Sequence, residues 1–89
     1  MSRHRKLVDR FCATPVPRDF RFADLVVLLG GFGFVLREHG GGSSHKSFIC
    51  QRGQEGEYRI VCARPHPSGV LKAYQVREIC TKLRQWGFL

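Results

Sequence analysis

The sequence predicts a small α+β sandwich: a three-stranded antiparallel sheet with helices packed on one face, in the order α-α-β-β-β-α. Three observations carry this expectation. Two stretches in the first third have helical apolar spacing, and three short segments of strand character then follow one another between glycine-containing turns. The chain closes on a long amphipathic segment. Helices beside a meander of this size bury one face of the sheet and leave the other to solvent.

Taken in order, Lys6 to Ala13 forms a short helix with Leu7, Val8 and Phe11 on one side, and Pro15-Val16-Pro17 breaks it. A second helix runs from about Phe22 to Leu29. Its apolar positions are Leu25, Leu28, Leu29 and then Phe32, Gly30-Gly31 is its stop, and Asp24 suits its positive end. Phe34 to Glu38 reads as the first strand. Lys46 to Arg52 reads as the next, with Ser47, Ile49 and Gln51 on one face and Phe48 and Cys50 on the other. The turn Gly53-Gln54-Glu55-Gly56 returns the chain as Tyr58 to Cys62. After the loop Arg64 to Gly69, Lys72 to Trp86 has Val76, Ile79, Cys80 and Leu83 at i, i+3, i+4 and i+7, the spacing of one buried helix face. The organisation is one domain, 19–89, preceded by a helical extension, 1–18.

Hydrophobic residues make up 43% of the 89-residue chain, which predicts a folded core. No apolar run approaches the roughly 20 residues of a membrane span, so no membrane partner is expected. The basic start lacks a signal-peptide core, which together with the scattered cysteines predicts a cytoplasmic protein. Cys12, Cys50, Cys62 and Cys80 form no Cys-x-x-Cys pair and read as buried thiols. Fifteen Lys and Arg against seven Asp and Glu give a net charge of +8. That surplus points to a polyanion, with nucleic acid first; an acidic protein, an anionic membrane surface, or charge serving solubility alone also fit.

The run from Gly40 to Phe48, Gly-Gly-Gly-Ser-Ser-His-Lys-Ser-Phe, hands a glycine loop to a strand where a histidine and a lysine appear. Histidine exchanges protons near neutral pH, and the neighbouring ammonium favours a polyanion. On spacing alone, His45 reads as an ordinary polar residue at a strand edge. Three features in order nevertheless resemble the HicA toxins. They are an amphipathic helix ending in Gly-Phe before a strand (Leu25 to Phe34), the glycine-serine-histidine loop followed by Phe48, and a Pro-His loop before Lys72-Ala73-Tyr74-Gln75-Val76-Arg77. HicA toxins are small bacterial or archaeal RNA-cleaving proteins of toxin-antitoxin pairs, similar in fold to the double-stranded-RNA-binding domain. The resemblance runs from about Asp19 to Leu89, and the N-terminal helix resembles the extension of longer members.

What the resemblance implies is a catalytic role for His45, with Gly42 as the loop glycine, Phe48 as the apolar residue after the loop, and His66 as a recurrent loop histidine. It also implies messenger RNA as substrate and a HicB-type antitoxin as protein partner. The chain departs from the family where members open the second helix with a Ser or Thr cap and a Glu three residues on, since Arg21 and Asp24 stand there. Its three consecutive glycines also make a longer loop.

Metal-free RNA cleavage needs a group that moves the proton of the ribose 2′-hydroxyl or of the leaving 5′-oxygen, and a positive charge beside the developing phosphorane. His45 is the candidate for the proton, as acid, base or both. Lys46 and Arg37 are candidates for the charge; Gly42, Ser43 and Ser44 are candidates to cradle the phosphate, and Lys72 and Arg77 to hold the RNA backbone. His66, between Pro65 and Pro67, reads as accessory, in structure or substrate contact. His4 and His39 read as solvated. A metal site from His39, His45 and His66 has only Glu38 for a carboxylate, so no metal and no cofactor are expected. Phe22, Phe32, Phe34 and Trp86 read as core, and Tyr74 as either core or a base-stacking platform. The competing readings are a non-catalytic RNA-binding module and a protein-interaction domain.

Overall fold

The computed structural model describes residues 3–38, 45–51, 56–65 and 68–89, with Glu38 and His45 described by their backbone alone. Its elements are α1 (Arg3–Phe11), α2 (Phe22–Gly31), β1 (Val35–Glu38), β2 (His45–Gln51), β3 (Glu57–Ala63) and α3 (Ala73–Gln85). The sheet has the order β1-β2-β3, both pairings antiparallel. This is the small α+β fold that the sequence predicts.

Alternation along β2 decides what each face of the sheet holds. Phe48 stands opposite Leu36 and Ile60, and Cys50 opposite Tyr58. Phe48, Cys50, Ile60 and Cys62 are buried with Phe22, Leu25, Leu28 and Leu29 of α2 and Val76, Ile79 and Leu83 of α3 in one cluster. The opposite face carries the rows Val35–Ile49–Arg59 and Arg37–Ser47–Val61. Val35 and Val61 there are 58% and 53% exposed. Ser47, the small residue between Arg37 and Val61, is buried.

Both long helices stop by one device, and for α2 it differs from the predicted Gly30-Gly31 stop. Gly30 and Gly31 stay helical. The reversal comes at Gly33, with φ +96°, where the Gly33 N–H donates to the Gly30 carbonyl and the Phe34 N–H to that of Leu29. Gly87, with φ +80°, repeats this after α3, its N–H bonding Arg84 and that of Phe88 bonding Leu83. Only glycine reaches this left-handed conformation without strain, so the stop belongs to the residue that must adopt it and not to the first glycine met. The phenylalanines behind the two glycines then meet, the Phe34 and Phe88 rings lying 5.2 Å apart. As expected, α2 starts without a side-chain cap at Arg21.

α1 begins earlier than its apolar spacing predicts, because His4 is a docking residue and not a solvated one. Its Nε2–H donates to the Leu28 carbonyl at 2.9 Å, and its ring meets Phe32 edge-on at 4.7 Å. Gly31 makes room for it: a Cβ there would overlap the His4 ring. Leu7 and Phe11 complete the attachment by joining the common core. The segments before α2 and α3 also clasp one another, Phe22 N–H bonding Gly69 and Leu71 N–H bonding Phe20, each at 2.8 Å.

Cys50, Cys62 and Cys80 are buried and Cys12 half-buried, all as thiols. Burial pushes the Cys62 thiol up to about 11 from its ordinary 9.0, with Glu78 adding to the effect. Burial likewise raises Cys12 to about 12, reinforced by Cys80. A thiol that ionises only in the unfolded chain lowers stability as pH rises above its unfolded value. Urea midpoints are therefore expected to stay flat through these thiols' range below pH 9 and to fall above it. Cys62→Ala should make the fall between pH 9 and 11 shallower; an unchanged slope in that window contradicts the assignment.

Candidate functional site

β2 begins at His45, whose backbone takes the register position opposite Ala63. That position belongs to the alternation of Ser47, Ile49 and Gln51, the side of the sheet not covered by the helices. Arg37, opposite Ser47 and exposed, is one row away on the same side. Lys46 has the other parity. It stands opposite Glu38 and Cys62, in line with Phe48 on the helix side, and is half-buried. The two cations considered for the phosphate are thus divided between the faces, and Arg37 is the one that shares the register side of His45.

The end of the sheet at Ala63 is tied to the start of α3 through Gln75, which sequence reasoning passed over. Gln75 is 8% exposed. Its Nε2 donates to the Ala63 carbonyl at 3.1 Å and to Cys62 Sγ at 3.6 Å, and its Oε1 accepts from the Lys72 N–H at 2.9 Å. The last bond is half of a capping box, because a lysine side chain at the cap has no acceptor to return. A glutamine three residues into an otherwise uncapped helix was the available signal. Through this amide, exposed Lys72 is placed at the same end of the sheet as the His45–Ala63 pair.

Tyr74, left open by the sequence between core and stacking surface, is 52% exposed. It borders a groove of about 200 Å³ with Val61, Ala63, Gln75 and Glu78, beside that same pair. Arg77 is exposed and lines a different groove, of about 300 Å³, between the end of α1 and α3, with Cys12, Cys80 and Arg84. Gly42, Ser43, Ser44 and His66 lie outside the described residues, as do His39 and the side chains of Glu38 and His45. Among the described residues, no group of three His, Cys, Asp or Glu side chains is disposed to hold a metal ion.

Among the described residues, the acids near arginines are engaged on the surface: Asp9 with Arg5, Asp19 and Asp24 with Arg10, and Glu57 with Arg59 at 3.3 Å. Exposed pairs of this kind contribute little to stability. Their consequence is electrostatic, since they locally neutralise acids while Arg37, Lys72, Arg77, Lys82 and Arg84 remain at the surface. No helix of the described residues is long and apolar enough to cross a membrane. No protein-family model, no curated protein and no solved structure matches the chain.

Proposed function

We propose that the chain is a metal-independent endoribonuclease of the HicA toxin type, acting on messenger RNA with His45 as its acid or base. The observation that carries the reading is where the backbone puts His45: first residue of the central strand, on the register side of Arg37, next to the end of the sheet that Gln75 ties to Lys72. His45 moves the proton at the 2′-hydroxyl or the 5′-oxygen. Arg37 supplies positive charge to the phosphate, and Lys72 holds the strand nearby. Gly42, Ser43 and Ser44 keep their proposed role as a phosphate cradle, Lys46 and Arg77 bind backbone away from the reacting group, and His66 remains accessory. A cytoplasmic setting and a HicB-type antitoxin belong to the same reading. The exposed Val35 and Val61 beside Arg37 and Arg59 suit an acidic protein partner with apolar contacts.

The test is cleavage of a defined RNA by wild type and by His45→Ala, each with and without EDTA. Cleavage by wild type alone, unaffected by EDTA, supports the reading. Equal cutting by the variant removes His45 from the chemistry, and loss with EDTA removes the metal-free route. No cutting by either protein, with RNA still bound, favours the non-catalytic RNA-binding reading.

Tyr74 is the residue on which an unpaired base stacks in this scheme. In a His45→Ala background, Tyr74→Ala is expected to weaken binding of a short unstructured RNA roughly 5- to 150-fold, while Tyr74→Phe retains it, by fluorescence anisotropy. Affinity unchanged in Tyr74→Ala assigns the tyrosine no part in binding.

A further inference from the structure

Two thiols from opposite parts of the chain meet where the N-terminal extension reaches α3. Cys12 follows the last residue of α1, Cys80 lies within α3, and their Sγ atoms are 2.9 Å apart across 68 positions of sequence. Non-bonded heavy atoms normally pack at roughly 3.5–4.0 Å, and a disulfide requires about 2.05 Å, so less than an ångström separates the pair from bonding. Both line the 300 Å³ groove, together with Thr14, Arg77, Thr81 and Arg84. Cys80 is 8% exposed and Cys12, half-buried, is the more accessible of the two. The other two thiols are engaged elsewhere, Cys50 toward the Phe32 carbonyl at 3.7 Å and Cys62 toward that of Ala63 at 3.6 Å.

We infer that Cys12 and Cys80 form an oxidisable pair, which a low-molecular-weight disulfide converts into a covalent staple between the N-terminal extension and α3. The oxidant enters by the groove. The Cys12 thiolate attacks one sulfur of the small disulfide and expels one thiol, leaving a mixed disulfide on Cys12. The Cys80 thiolate then attacks Cys12 Sγ and expels the second thiol. In sum, two protein thiols and one small disulfide become one protein disulfide and two small thiols. The protein loses two electrons and two protons, and both pass to the oxidant.

Burial, with Cys80 reinforcing it, holds the Cys12 thiol up near 12, and the charge of Arg84 works the other way. Little thiolate is present at neutral pH, so the staple forms slowly there. Its rate is expected to climb about tenfold per pH unit from 7 to 9, in proportion to thiolate. The pair is therefore a slow, cumulative oxidation site and not a rapid peroxide sensor.

Full-length chain incubated at pH 8.5 with excess oxidised glutathione, followed by intact mass and peptide mapping, tests the inference. The expected product is lighter by two hydrogen atoms, linked Cys12 to Cys80, and reverts with dithiothreitol. Its melting temperature is expected to rise by roughly 10–20 °C, because the bond closes a long loop in the unfolded chain. In Cys80→Ala the reaction should stop at glutathione on Cys12. Three results overturn the inference: Cys12 stays reduced, wild type retains a lasting mixed disulfide, or the bond goes to Cys50 or Cys62.

Discussion

Under the proposed nuclease function, replacing His45 by alanine is expected to lower RNA cleavage by roughly 10²- to 10⁴-fold while leaving the fold in place, the loss that follows when a positioned acid or base is removed. The sheet gives the physical reason to expect the two effects to separate. His45 joins β2 through its backbone position opposite Ala63, and Gln75 holds that end of β3 from the other side. Neither bond uses the imidazole. Far-ultraviolet circular dichroism and the urea midpoint should therefore match wild type while the rate collapses. Arg37→Ala, which removes a charge and not a proton donor or acceptor, should cost much less, about tenfold. If it costs as much as His45→Ala, the arginine and not the histidine is the group on which the chemistry depends.

How far the amino-acid pattern discloses this arrangement depends on the range over which each feature is decided. Periodicity is local, and it places Val76, Ile79, Cys80 and Leu83 in the core and divides Phe48 and Cys50 from Ile49 and Gln51. The structure buries the former sets and leaves the latter partly or fully accessible. The same period of two puts Lys46 on the side of Phe48, so its separation from Ser47 is legible in the sequence. That Arg37 sides with Ser47 was not, because register is set by the whole pairing of β1 with β2. His4 reads as a solvated histidine until α2 is known to present the Leu28 carbonyl and a glycine beside it. Gln75 reads as an ordinary helix glutamine until the end of β3 arrives. The meeting of Cys12 with Cys80 is less visible still, since nothing near either cysteine marks the other. Helix stops fall between these cases: the sequence marks a glycine stop for α2, but the one that takes a positive φ is selected by where Phe34 must turn into β1.

The core, by contrast, should respond most strongly at Phe48, three residues along β2 from His45. Phe48 is 1% exposed, faces Leu36 and Ile60 across the sheet, and lies against the Phe22 ring at 5.8 Å between centroids. Phe48→Ala removes most of a buried ring at a point where strands on both sides and α2 fix the surrounding backbone. The space cannot collapse freely. The expected cost is about 3–5 kcal/mol, seen as a fall of roughly 2 M in the urea midpoint. A domain of this length has roughly 4–13 kcal/mol in total, so the variant sits near the edge of folding at 37 °C. Phe48→Leu retains much of the volume and should cost about 1 kcal/mol. A cost below 1 kcal/mol for Phe48→Ala would mean that α2 does not close over the sheet at this point. The two substitutions on one strand thereby separate chemistry from folding. On the proposed function both should lower cleavage at 37 °C, but lowering the temperature or adding a stabilising osmolyte should restore activity to Phe48→Ala and none to His45→Ala.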